Sequence, residues 1–90
     1  MSVETPSVET PAEKLGELVR YMASQLVDSP DDLEVSVDDR GTSVHIMLRV
    51  PEEEMGRVIG RQGRIAKAMS TVVMIAGSRQ NVRASLDIEG

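Results

Sequence analysis

The chain contains no cysteine, tryptophan or phenylalanine, and Tyr21 is its one aromatic residue. Without cysteine it has no disulfide and no thiolate metal site, a composition that suits a reducing cytoplasm. A single aromatic cannot build the base-stacking platforms of RRM and OB-fold proteins. Histidine also occurs once, as His45, with no partners at ligand spacing, so no metal is expected. No apolar run is long enough to span a membrane. The stretch Met1–Pro11 carries Glu4 and Glu9 and no basic residue, which does not fit a signal peptide. Neither a Ser/His/Asp set with a local signature nor a phosphate-binding G-x-x-x-x-G-K-[ST] is present. Glu52, Glu53 and Glu54 fall at a predicted helix start, where the helix dipole accounts for acids. The sequence therefore gives no reason to expect an enzyme, a catalytic residue or a cofactor.

Ninety residues make one domain, with a small core. The net charge of -5 conceals a division. Met1–Glu54 holds thirteen acidic and four basic residues, a net of -9; Met55–Gly90 holds six basic and two acidic, a net of +4. No carboxylate side chain occurs between Met55 and Leu86. Arg57, Arg61, Arg64 and Lys67 crowd into part of that interval and create a local positive field in an acidic protein.

Ser2–Pro6 and Ser7–Pro11 form a short tandem repeat with two prolines, which predicts a disordered acidic tail over residues 1–11 ahead of a folded domain over 12–90. Thr10-Pro11-Ala12-Glu13 has the pattern of a capping box. Leu15, Leu18, Val19, Met22 and Leu26 recur at helical spacing, and Asp28-Ser29-Pro30 is expected to end that helix. Leu33, Val35 and Val37, then Val44, Ile46, Leu48 and Val50, alternate with polar residues as half-buried strands around the Asp38–Gly41 turn. Pro51–Glu54 opens a second helix that stops at Gly60. A third is predicted from Gly63 to Ala76, with Ile65, Met69, Val72, Val73 and Ala76 inward and Gly77 as its C-terminal cap. Val82, Ala84, Leu86 and Ile88 mark a last strand. The order α-β-β-α-α-β predicts an α+β, two-layer fold: a three-stranded sheet covered on one face by three helices.

Between the second and third helices lies Val58-Ile59-Gly60-Arg61-Gln62-Gly63-Arg64-Ile65-Ala66. Two glycines three apart permit a sharp turn and the close approach of another backbone. The third helix then aims its free N–H groups and positive dipole end at the turn, a seat for phosphate. Alone, G-x-x-G is a common structural device. Here it stands among four cations.

The stretch Val58–Ile65 resembles the I-G-x-x-G-x-x-I signature of KH domains, and the element order resembles the type II KH arrangement. From about Glu13 to Ile88, roughly five-sixths of the chain, the sequence resembles the KhpA family of small bacterial KH proteins. The matching pieces are Leu18-Val19-Arg20-Tyr21, Leu26-Val27-Asp28-Ser29-Pro30 and Met55 through Ala68; the repeated tail has no counterpart. The resemblance implies a cytoplasmic protein that binds single-stranded RNA as a chaperone or post-transcriptional regulator. It also implies self-association or pairing with a KhpB-like KH protein, and a link to cell-wall and cell-length homeostasis. A pairing module acting mainly through its protein partner is the alternative. Carried onto this chain, the RNA contact falls on Arg57, Ile59, Gly60, Arg61, Gln62, Gly63, Arg64, Ile65 and Lys67. Ile59 and Ile65, with Val44 or Ile46, are the aliphatic residues expected to hold the bases. Met74, Ile75 and Met47 are apolar residues in excess of what one buried face needs, a candidate partner surface.

The tail has little to bury. Removing Met1–Glu9 while keeping the Thr10 cap is expected to leave the melting temperature and RNA binding unchanged. A fall of several degrees in a thermal melt would show that the segment docks on the domain.

Overall fold

The computed structural model describes residues 10–90. Of the expected tail, residues 1–9 lie outside the described residues, and Thr10 and Pro11 form the cap and first residue of helix α1 (Pro11–Ser24). The capping box is present: Glu13 donates its N–H to Thr10 Oγ1 at 3.1 Å, and Thr10 donates its N–H to Glu13 Oε1 at 3.2 Å. Ala12, Leu15, Gly16, Val19 and Ala23 form the buried stripe. The helix ends at Ser24, before the break expected at Asp28–Pro30. Ser24 Oγ donates to the Tyr21 carbonyl at 2.8 Å, and the Gln25 N–H turns back to the carbonyls of Met22 and Ala23, local bonding that competes with helix continuation. Pro30 opens a separate 3₁₀ turn over Pro30–Asp32.

Strands β1 (Glu34–Asp39), β2 (Ser43–Arg49) and β3 (Arg83–Glu89) form one sheet in that order. β1 pairs antiparallel with β2, Val35 opposite Leu48 and Val37 opposite Ile46. β2 pairs parallel with β3, Val44 opposite Ala84 and Ile46 opposite Leu86. Parallel neighbours require a long crossover, which α2 (Met55–Ile59) and α3 (Arg64–Arg79) supply. The architecture is the expected α+β sandwich in the order α-β-β-α-α-β. Leu15, Val19, Val44, Ile46, Leu48, Val50, Val58 and Val73 are its largest fully buried side chains. On the open face, Arg49 reaches Glu89 at 2.8 Å and Glu34 at 3.9 Å, cross-strand pairs of opposite charge.

Three details depart from the sequence pattern. Val37, placed on the buried face by alternation, is 39% exposed because β1 is an edge strand. Val72 is 40% exposed, lying outside the narrower stripe of Met69, Val73 and Gly77 that α3 buries. Gly77 is not a helix cap: α3 continues to Arg79, and Gly77 faces β3 so closely that an added Cβ would stand 2.6 Å from the Ala84 Cβ. Its missing side chain sets the approach of α3 to the sheet.

Glu54 is the one buried charged or polar residue among those described, 7% exposed. The turn Glu52–Glu54 precedes α2, and Glu54 points inward, unlike the exposed Glu52 and Glu53. Its Oε1 accepts the Asp28 N–H at 2.7 Å and its Oε2 accepts the Ser29 N–H at 3.2 Å. It therefore ties the α1–β1 connection to the start of α2, a role that the helix dipole alone did not suggest. Glu54→Ala leaves two backbone donors without their acceptor, and the expected loss is about 1–3 kcal/mol. Urea denaturation checks this, with Glu54→Gln, which keeps one acceptor oxygen, falling between the parent and the alanine variant.

Candidate nucleic-acid interface

The β2–β3 crossover turns where α2 meets α3. Gly60 has φ 76° and ψ 175°, a backbone region that a side chain does not tolerate, and Ile65 atoms lie 2.6–2.9 Å from where its Cβ would stand. Arg61–Gly63 make a single 3₁₀ turn, closed by the Gly63 N–H to the Gly60 carbonyl at 3.1 Å. Gln62 and Gly63 are both left-handed, at φ 58° and 73°. Arg61 and Gln62 project into solvent, and no side chain caps the N-terminus of α3. The Arg64 N–H is taken by the Arg61 carbonyl, and beyond it the positive dipole end of α3, with no side chain across it, faces the turn.

The four cations nominated from the sequence are not equivalent. Arg57 is paired: its Nη1 lies 2.8 Å from Asp28 Oδ1 and 3.9 Å from Glu54 Oε1. The hydrogen bond to Asp28, and then its charge, raise the Arg57 guanidinium further above its ordinary value. Arg57 thus joins the Glu54 tie to the α1–β1 connection. The side chains of Arg61, Arg64 and Lys67 make no hydrogen bond or ion pair with any described residue.

Two grooves flank the turn and divide the remaining nominated residues. One, of about 530 Å³, runs between α3 and the edge strand β3, lined by Ile59, Ala66, Lys67, Ser70, Thr71, Leu86, Asp87 and Ile88. The other, of about 430 Å³, lies between α1 and α3 and takes in Arg64 and Ile65 together with Tyr21, Met22, Leu26 and Met69. The expected aliphatic wall needs correction. Val44 and Ile46 are buried at the centre of the sheet, and Ile65 opens on the α1 side. Beside Ile59 the apolar lining of the β3 groove comes from Leu86 and Ile88, which sequence reasoning did not place there. Their alternation marked them as strand residues, but no local signal announced that β3 would lie parallel to β2 at the edge.

On the open sheet face, His45 Nδ1 lies 2.7 Å from Ser85 Oγ and its Nε2 3.1 Å from Asp87 Oδ2. All three side chains stand on the solvated face, gathered by the register that puts His45 opposite Ser85 and Met47 opposite Asp87. They are cross-strand pairs of the kind that stabilise a sheet. Among the described residues no His, Cys, Asp or Glu group could hold a metal ion, and no helix is long and apolar enough to cross a membrane.

The family model described as the KH domain of KhpA/KhpB matches residues 16–88. An RNA-binding protein KhpA of Halalkalibacterium halodurans is 52% identical over 71 residues, 79% of this chain and 93% of that protein. One from Caldanaerobacter subterraneus subsp. tengcongensis is 45% identical over 74 residues, 82% and 99% of the two chains. Another, from Listeria monocytogenes serovar 1/2a, is 43% identical over 72 residues, 80% and 95%. No solved structure gives a significant match.

Proposed function

The chain belongs to the KhpA/KhpB family of KH domains, and we propose that it binds single-stranded RNA, gripping the phosphate backbone at Gly60-Arg61-Gln62-Gly63. One observation carries this reading: the turn is held by Gly60 and packed on Ile65, it precedes a helix N-terminus with no side-chain cap, and beside it stand Arg61, Arg64 and Lys67, which pair with no described residue. Turns of this kind clamp about four backbone nucleotides. Ile59, Leu86 and Ile88 supply an aliphatic wall for the bases, so the near absence of aromatics is no obstacle. In this reading Arg57 is a positioning residue, and the folded RNA-binding unit begins with the Thr10 cap and Pro11 of α1, two residues ahead of the boundary expected at 12. The protein works in the cytoplasm as an RNA chaperone or post-transcriptional regulator, without catalysis.

A second reading, a pairing module for a further copy or a KhpB-like protein, with an effect on cell wall and cell length, is favoured by one observation. Val72, Met74 and Ile75 on α3 are 40%, 55% and 53% exposed.

Replacing Arg61 and Gln62 by Asp puts two carboxylates where phosphates would sit and leaves both glycines unchanged. The fold is expected to survive and RNA binding at low salt to collapse, as read by fluorescence anisotropy with a labelled oligonucleotide. Arg61→Ala is expected to lower the slope of log affinity against log salt by about 0.7, the contribution of one phosphate contact on a single strand. Normal affinity in the folded double-Asp variant would remove the loop from the mechanism. Equilibrium sedimentation tests the second reading. A species heavier than the monomer is expected at micromolar concentration and should be lost in Met74→Ser/Ile75→Ser.

A further inference from the structure

Tyr21 is 65% exposed, although it is the largest apolar surface the chain possesses and the core beneath it is aliphatic. An aromatic ring left in water forgoes burial that would stabilise the fold. It stands at the C-terminal end of α1, on the rim of the groove between α1 and α3. Met22, Leu26, Ile65 and Met69 line that groove, and Arg64, the residue that follows Gly63, sits at its end nearest the loop. Its α3 wall begins at Arg64, one residue beyond the GRQG turn, and runs to Val72 on the flank of α3 away from the β3 seam. No carboxylate lines it.

We propose that Tyr21 is a stacking platform for one nucleobase of the strand as it leaves the loop, an extension that rests on the RNA-binding reading above. The groove's chemistry matches a nucleotide. Its aliphatic surface and the tyrosine ring take the flat face of a base, the Gln25 amide beside them offers a donor and an acceptor to the base edge, and the unpaired Arg64 meets the adjoining phosphate. The α3–β3 seam and the α1–α3 groove then flank one clamp, and the strand crosses it from one to the other. Stacking is tolerant of sequence because every base has a π-face, so the contact adds affinity and length dependence without a fixed motif.

Tyr21 is the only tyrosine and there is no tryptophan, so the intrinsic emission of the whole chain reports on this one ring. The experiment titrates the full chain with a single-stranded RNA decamer of random sequence, following tyrosine emission and, separately, anisotropy of the labelled RNA. Saturable quenching is expected in the parent. Tyr21→Ala should weaken binding between about fivefold and a hundredfold, the range for losing one stacked base, whereas Tyr21→Phe should retain most of the affinity. The ring is solvent-facing, so a thermal melt should be unchanged in both variants. RNA binding with unaltered emission and full affinity in Tyr21→Ala would overturn the proposal and leave the loop mechanism standing. Absence of binding by the parent would overturn both. Emission that changes with protein concentration in the absence of RNA would mean that a second copy covers the groove, and would overturn the proposal as well.

Discussion

The parallel pairing of β2 with β3 is the constraint on which the rest of the molecule depends. Two parallel neighbours cannot be joined by a hairpin, so the chain must leave the end of β2, travel back along the sheet and re-enter beside its starting point. It does so in two helical pieces, and wherever two helices meet within a crossover there is a corner. That corner is Gly60–Gly63, outside the sheet and ahead of the longer helix. The same pairing makes β3 an edge strand, so the flank of α3 next to it is left open as a groove. Loop and groove are two results of one topological decision.

The second constraint is the lack of large side chains. A core of valine, leucine, isoleucine and alanine with one methionine, Met69, fills space only if the layers come close, and close approach is arranged backbone by backbone. At the α3–β3 contact, Gly77 faces Ala84 with no room for another methyl group. Among the described residues, buried polar chemistry is confined to Glu54, whose two oxygens both hold backbone donors. Charge is sorted accordingly: acids that have structural tasks stand in the first half of the chain and the open sheet face. Of the cations around the corner, Arg61, Arg64 and Lys67 have no partner among the described residues.

Much of the fold was legible because its signals are local. The Thr10–Glu13 capping box, the alternation of Val44 through Val50 and the paired glycines each act within a few residues, and each appears where the pattern puts it. The limits of legibility were equally physical. Gly77 reads as a helix cap in sequence because caps favour glycine, but a glycine needed for close packing looks the same. Glu52, Glu53 and Glu54 are indistinguishable in sequence, since what separates them is the arrival of Asp28 and Ser29 from a distant turn. Arg57 looked like a fourth free cation until that turn supplied its carboxylate. The groove wall of Leu86 and Ile88, like the Tyr21 rim, depends on which elements become neighbours, and no periodicity records that.

The backbone of the corner has one further consequence, in the entropy of association. Gly60 has the widest conformational freedom in the unfolded chain, and in the native structure it is fixed by Ile65 packed against its Cα. The ordering cost of that turn is therefore met when the domain folds. An anion that settles against α3 meets donors already in place, and little of its interaction free energy is diverted to organising them. Association at such a seat is limited by encounter and electrostatic steering, not by a conformational search. Such a contact can form and break quickly.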